Sequence, residues 1–538
     1  MTRLPLRVFF AVLAFWGAAC TGGSSDHSGP RSLAAIACAM PHRELVRVAR
    51  GYDPRRSGEL QFVPREPNFI GEFRSHSGPW QYVQDVPIFF YGPGHVPAVG
   101  RISEPATMAD IAPTLAAHLG FDFGTRDGRV LHQAVDLGAD PPKLVLVVVW
   151  DGGGRNVLAR HPGSWPVLRD LIEDGAWFEH ATAGSSPSVT PAIHATLGTG
   201  FFPSHNGLVD LRMRIRRNIV SASDLGPRFL RKPTLADRYD RAMGNVPLVG
   251  TVALDEWHLA MTGRGARFPG GDRDLVALWN TLHLRSGWEL TGPEAPAFTL
   301  PPGLASFAGL DHEVRRVDEA DGVLDGLWLD EAPLEEAGDV LASPAYSSWQ
   351  TASLEKLITE EGFGADDVPD LLYTNYKQID RVGHLWGMET PEMRDVVRSS
   401  DRALGDLIDI LDRDVGKGQW VLALTADHGS TPPPAETGAF VIDRNRLKAD
   451  IEAAFDDDGD DVKLVDAPRV TQFWLNTSEL EDNGFTLEDV ARFVLGYTKA
   501  DSAADPSRVP EDRRDDRLFS AAFPASLLDG GLPCLEGS

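Results

Sequence analysis

Leu144 to Trp150 is an unbroken apolar run, Leu-Val-Leu-Val-Val-Val-Trp, and it stops at Asp151. A strand can be apolar at every residue only if both of its faces are covered, as in the centre of a parallel sheet. Trp420 to Ala426 repeats the pattern and stops at Asp427. Val86 to Tyr91 reads as a third buried strand, ended by the turn Gly92-Pro93-Gly94. Segments with helical spacing lie between such runs. They are Thr107 to Leu119, Ser164 to Asp174 with Ser164 as the cap, and Met393 to Leu411. This alternation predicts an α/β fold: a doubly wound, mostly parallel sheet with helices on both faces. Ligands bind such sheets beyond the carboxyl ends of the strands, which is where Asp151 and Asp427 fall.

The chain has 538 residues and a formal net charge of -27, with 42% hydrophobic and 24% charged residues. These proportions suit a globular protein with a large core. Acidity of this size repels polyanions, so no nucleic-acid-binding surface is expected.

The organisation reads as follows. Residues 1–19 resemble an export signal, with Arg3 and Arg7 before a short apolar core. Gly17-Ala18-Ala19-Cys20 resembles a bacterial lipoprotein cleavage box, with Gly17 where Leu is usual. Lipidated Cys20 would attach the protein to the cell envelope; plain secretion and an uncleaved anchor are the alternatives. Residues 20–36 form a polar tether. Residues 37–135, 142–207 and 367–431 are read as catalytic core. Weak periodicity marks 208–366 as a cap insertion; 432–538 is read as a second, smaller insertion that returns to the core. The second insertion holds a helix over Arg444 to Phe455, a strand over Arg469 to Leu475 and a helix over Thr486 to Leu495. With Cys20 lipidated, Cys38 and Cys534 are left as either a disulfide or two free thiols.

Four short motifs carry the chemistry. They are Asp151 after its strand, Thr190 in Pro187-Ser188-Val189-Thr190-Pro191, Asp380-Arg381-Val382-Gly383-His384, and Ala426-Asp427-His428-Gly429. Together they resemble the alkaline phosphatase superfamily, in its type I phosphodiesterase/nucleotide pyrophosphatase branch. That branch has one more metal histidine, normally downstream of the Asp-His pair. No histidine follows His428, and the fitting segment lies early, at Ser75-His76-Ser77-Gly78-Pro79. The segment around Asp110-Ile111-Ala112-Pro113-Thr114 is likewise early, and Leu518 to Pro524 resembles what should precede it. The resemblance therefore implies a circularly permuted chain whose ends meet, with a Cys38–Cys534 bond restoring the lost link. The competing reading makes 40–135 a separate domain and His76 incidental.

The resemblance implies two divalent ions, with zinc preferred and manganese or iron also compatible with the donors. One ion would take Asp380, His384 and His76. The other would take Asp151, Asp427 and His428 with the Thr190 oxygen. Thr190 would be the nucleophile, with Ser188 as its rival, and His194 and His205 would be structural. The substrate would be a small phosphodiester or nucleotide pyrophosphate. Two departures stand out. Leu211 occupies the place of an Asn that binds phosphoryl oxygen, leaving that charge to the metals and backbone donors, or to a nearby group such as Arg212 or Asn206. Leu254-Asp255-Glu256 stands where monoesterase relatives carry Lys-Asp-Arg. The alternatives are a phosphomonoesterase or phosphonate hydrolase of the same superfamily, or a catalytically weak metal-binding surface lipoprotein.

Overall fold

The computed structural model describes residues 31–535 apart from 72–73, 223–225, 280–286, 330 and 457–458. The export signal and Cys20 lie outside the described residues. From Leu33 onward the chain forms one compact body.

A nine-stranded sheet runs through it. In chain order its strands are β1 (Ile88–Tyr91), β2 (Gly100–Ile102), β3 (Leu144–Trp150), β4 (Ala176–Phe178), β5 (Val249–Ala253), β6 (Asp274–Leu278), β7 (Phe298–Thr299), β8 (Asp370–Tyr376) and β9 (Trp420–Thr425). Their spatial order is β7-β6-β5-β8-β3-β9-β1-β4-β2. Pairing is parallel from β7 through to β9 and antiparallel on both sides of β1. The expected mostly parallel sheet is present.

The apolar runs explain its centre. Along β3, Leu144, Leu146, Val148 and Trp150 point into one core, and Val145, Val147 and Val149 into the other. The period of two sends alternate residues to opposite faces, and both faces are covered. The first face packs on α3 (Pro344–Glu361) and α5 (Pro391–Ile410), the second on α1 (Ile111–His118) and α2 (Thr190–Thr199). Each such side chain contributes roughly 1.5–3 kcal/mol by leaving water.

The register sets the site. β3 pairs with β8 from Leu144–Asp370 to Trp150–Tyr376, and with β9 from Leu144–Trp420 to Val149–Thr425. The three central strands therefore end at one level, and whatever follows each is delivered to the same edge.

Two expectations change. Part of the stretch 208–366, read as a cap, builds the main sheet instead, because β5, β6 and β7 belong to it. The helix expected from Ser164 begins at Pro166 and is not capped by Ser164. The buried Asp401 carboxylate accepts from the Val167 and Leu168 amides, both at 2.9 Å, and does that work from α5.

A second, antiparallel sheet joins the two ends of the chain. Its order is Val465–Pro468, Gln472–Leu475, Leu60–Pro64, Phe519–Pro524. Leu60 faces Pro524 and Gln61 faces Phe523. Cys38 and Cys534 are bonded, so the disulfide reading holds over that of two free thiols.

Candidate metal centre

Asp151 directly follows β3, and its amide donates to Tyr376 O at 3.0 Å. The turn after it is tight. Gly152 has φ +71°, and a Cβ there would come within 2.8 Å of the Asp380 Cα. The Gly152 amide donates to Asp427 Oδ1 at 3.0 Å, so one glycine ties two of the strand ends together. α4 (Gln378–Leu385) starts two residues after β8 and presents Asp380 and His384 from consecutive turns of one face. Asp427 and His428 follow β9 and are fully buried.

His76 reaches this cluster from the other end of the chain. Its ring stacks on that of His428 with centroids 3.4 Å apart. His76 Nδ1–H donates to Ser188 O at 3.0 Å, and the Ser188 hydroxyl donates back to His76 O at 2.8 Å. This reciprocal pair fixes the ring so that Nε2 faces Asp380. It also occupies Ser188, the rival nucleophile. Thr190, first residue of α2, instead borders an open cavity of about 1170 Å³.

The donors converge. Asp380 Oδ1 lies 3.3 Å from His384 Nε2, 3.6 Å from His76 Nε2 and 3.8 Å from His428 Nε2. His428 Nε2 is 3.3 Å from Asp427 Oδ2 and 3.7 Å from Asp151 Oδ1. His428 Nδ1–H is bound to Gly429 O, which leaves Nε2 with its lone pair inward. Asp427 Oδ2 and His428 Nε2 are both buried with no hydrogen-bond partner among the described residues. Buried acceptors left unpaired are costly. Two sets of three, His76 with Asp380 and His384, and Asp151 with Asp380 and His428, have ligand atoms close enough to hold a divalent ion.

The electrostatics agree. Burial lowers the His76 imidazole well below its usual range, helped by neighbouring His428, so the ring is neutral and able to ligate. Burial likewise lowers His428, against the pull of Asp427 and Asp380. Burial alone would raise Asp380, but Lys377 and His384 outweigh it and hold this carboxylate well below its usual range. Burial, then the Asp427 charge, pushes Asp151 up.

All seven residues read from the sequence, His76, Asp151, Thr190, Asp380, His384, Asp427 and His428, thus meet at one place. Two others went unread. Lys377 Nζ lies 2.7 Å from Asp151 Oδ1 and 3.3 Å from Thr190 Oγ1, and Asn375 Nδ2 donates to Asp151 Oδ2 at 3.0 Å. No local pattern marks them: they lie at the carboxyl end of β8, and the register of β8 against β3 brings them to Asp151. The two side chains suggested as phosphoryl donors do not qualify. Asn206 spends its amide on Phe201 O and Leu208 N, and Arg212 points to solvent outside the cavity. Leu211 and Leu254 do line the cavity. His194 is fully buried against His258, and His205 pairs with Asp127 away from the centre.

The profile of the type I phosphodiesterase/nucleotide pyrophosphatase family matches residues 145–496, which is most of the chain. The chain belongs to this family. Membership also places it in the alkaline phosphatase superfamily that the motifs resembled. It is 31% identical over 411 residues to the alkaline phosphatase PafA of Elizabethkingia meningoseptica, covering 66% of this chain and 73% of that protein. It is 34% identical over 341 residues to the alkaline phosphatase PhoV of Synechococcus elongatus, covering 54% of this chain and 60% of that one. The crystal structure of wild-type PafA superposes with a TM-score of 0.51 at 19% identity, over 71% of this chain and 84% of that one, a likeness of fold. The family match begins at residue 145, so His76 lies outside it.

Proposed function

We propose that the chain is a metal-dependent hydrolase of phosphodiester or nucleotide pyrophosphate bonds with Thr190 as its nucleophile. The observation that carries this reading is the Thr190 hydroxyl, set at the head of the ten-residue α2, open to the cavity and flanked by the His/Asp cluster. A helix N-terminus favours an anionic phosphoryl group.

His76, Asp380 and His384 would hold one divalent ion, and Asp151, Asp427, His428 and Thr190 the position beside it. Zinc suits these nitrogen and oxygen donors. Bound there, metal charge makes the hydroxyl more acidic and offsets charge on the phosphoryl oxygens. The Thr190 oxygen attacks phosphorus, the alcohol leaves from the cavity side, and water then hydrolyses phospho-Thr190. Lys377 holds the threonine oxygen in place from behind. Leu211 supplies no donor, so the α2 amides and Lys377 are left to meet the phosphoryl charge.

The cavity supports a substrate with bulk beyond the phosphoryl group. Trp257, Arg381 and Arg444 line its outer part, and neither arginine has a carboxylate partner among the described residues. Asp255 faces the same space, where a doubly charged monoester would be repelled. The second reading is a phosphomonoesterase, favoured by the identity to PafA. Purified protein assayed on an aryl phosphate diester, the matching monoester and a sulfate ester separates the readings. The diester is expected to turn over fastest, and Thr190→Ala to lose a factor on the order of 10³ or more. No turnover of any ester by metal-loaded protein would leave a binding protein.

The order of the parts supports a circularly permuted chain. β1 and His76 precede β3 in sequence, yet β1 pairs beside β9 and His76 stacks on His428. The disulfide supports an exported protein, since such bonds persist in oxidising compartments. Among the described residues no helix is long and apolar enough to cross a membrane. Lipidation at Cys20 remains part of the proposal.

A further inference from the structure

Thr190 begins α2, and Phe201, just past the other end of that helix, lines a second cavity of about 390 Å³. A ten-residue helix sets the two about 15 Å apart. Four residues lining this cavity are cations, Arg126, Lys232, Arg238 and Arg241, and none is acidic. The chain carries a net charge of -27, yet none of the four has an ion-pair partner among the described residues. Backbone carbonyls hold three of them in place. Arg126 Nη1 donates to Thr125 O at 2.8 Å, Arg238 Nη1 to Phe123 O at 2.6 Å, and Arg241 Nη1 to Pro269 O at 3.2 Å. Each guanidinium keeps further N–H groups to donate. Phenylalanine rings support the charges: Lys232 Nζ lies 4.8 Å from the Phe201 centroid, and the Arg241 guanidinium carbon 5.1 Å from that of Phe268.

We propose that this cavity is a second binding site, for the phosphate group of a phosphorylated small molecule or lipid, held by Arg126 and Arg238 with Lys232 and Arg241 adding charge. The two leading arginines converge. A Cβ on Gly124 would stand 3.6 Å from Arg238 Nη1 and 3.7 Å from Arg126 Nη1, so these nitrogens lie within about 7.5 Å of each other. One tetrahedral oxyanion bridges such a gap with hydrogen bonds of about 2.9 Å. Left alone the two cations oppose each other: burial, then the Arg238 charge, lowers Arg126 to about 10. The Nε–H of Arg126 is also buried without a partner among the described residues. A carboxylate brings a single charge to four cations, whereas a phosphate monoester brings about two and three acceptor oxygens. Guanidinium forks match that geometry. Phe201 and Phe268 leave an apolar wall for the organic part of the ligand.

This site is independent of what the metal centre cleaves. The test titrates inorganic phosphate into the full, metal-loaded chain by calorimetry, for wild type and for Arg126→Gln/Arg238→Gln. The variant is expected to bind one equivalent fewer than wild type, or to bind that equivalent at least about tenfold more weakly, with turnover at the metal centre unchanged. Lys232→Gln/Arg241→Gln, at a half-buried and an exposed position, is expected to weaken the same equivalent and decides the matter should the first pair not fold. In a parallel arm, vesicles of phosphatidic acid in phosphatidylcholine are compared with phosphatidylcholine alone. A preference for the anionic vesicles that the substitutions abolish assigns the phosphate to a lipid headgroup. A lost phosphate equivalent without that preference assigns it to a soluble ligand. Equal phosphate binding and equal vesicle binding by wild type and a folded variant would overturn the proposal.

Discussion

At the scale of single residues, His76 decides whether one centre exists. Its ring is held by Ser188, two residues from Thr190, and stacks on His428. Removing it opens the ligand set and frees the loop that presents Thr190. His76→Ala is therefore expected to reduce turnover by a factor comparable with Asp427→Ala, on the order of 10² or more. Near-normal steady-state kinetics for His76→Ala would count against a shared centre. The residues that motif reading recovered are those with a fixed sequence context, such as Asp-x-x-x-His on one helix face or Asp-His after an apolar strand. Lys377 and Asn375 were not legible because their role depends on the register of β8 against β3, which no local pattern encodes. Leu211 was legible as a departure, but Lys377 as a neighbour of Thr190 was not, since it lies far away in sequence, just past the end of β8.

Elements were legible in proportion to their periodicity. The helix Arg444–Phe455 has the bounds that its spacing predicts, with Asp443 capping it. β3 and β9 follow from their apolar runs. β5 and β6 were hidden because they are short and mixed, Val-Gly-Thr-Val-Ala and Asp-Leu-Val-Ala-Leu. Gly250 breaks the apolar pattern of β5 for a packing reason: a Cβ there would lie 2.6 Å from the Phe363 ring. The cap of Pro166–Leu171 was unreadable for a related reason, because its carboxylate comes from α5, more than two hundred residues on. That long-range cap gives a prediction at this scale. Asp401→Ala leaves the buried Leu168 amide and the half-buried Val167 amide unpaired and is expected to destabilise the fold by about 1–3 kcal/mol, seen as a lower unfolding midpoint. An unchanged midpoint would mean that water replaces the carboxylate there.

At the scale of the whole molecule, early and late segments of the described residues are built into one sheet. Leu60–Pro64 lies between Gln472–Leu475 and Phe519–Pro524, and the Cys38–Cys534 bond closes the junction over a sequence separation of 496. Cross-linking so long a loop restricts the unfolded chain, with a typical effect of about 2–4 kcal/mol. Reductant, or the Cys38→Ser/Cys534→Ser pair, is expected to lower the midpoint of thermal unfolding. Identical melting curves with both thiols shown to be free would refute that role. Fold class was readable from the apolar runs, whereas the limits of the cap were not, because sheet membership of the short strands is a tertiary property. On this reading an early histidine and a late Asp-His pair belong to one metal centre beside Thr190. Anomalous diffraction at the zinc edge from zinc-loaded crystals tests it most directly. The predicted result is a peak within bonding distance of His76 Nε2, His384 Nε2 and Asp380 Oδ1; a zinc peak with the His76 ring turned away from it would contradict the account.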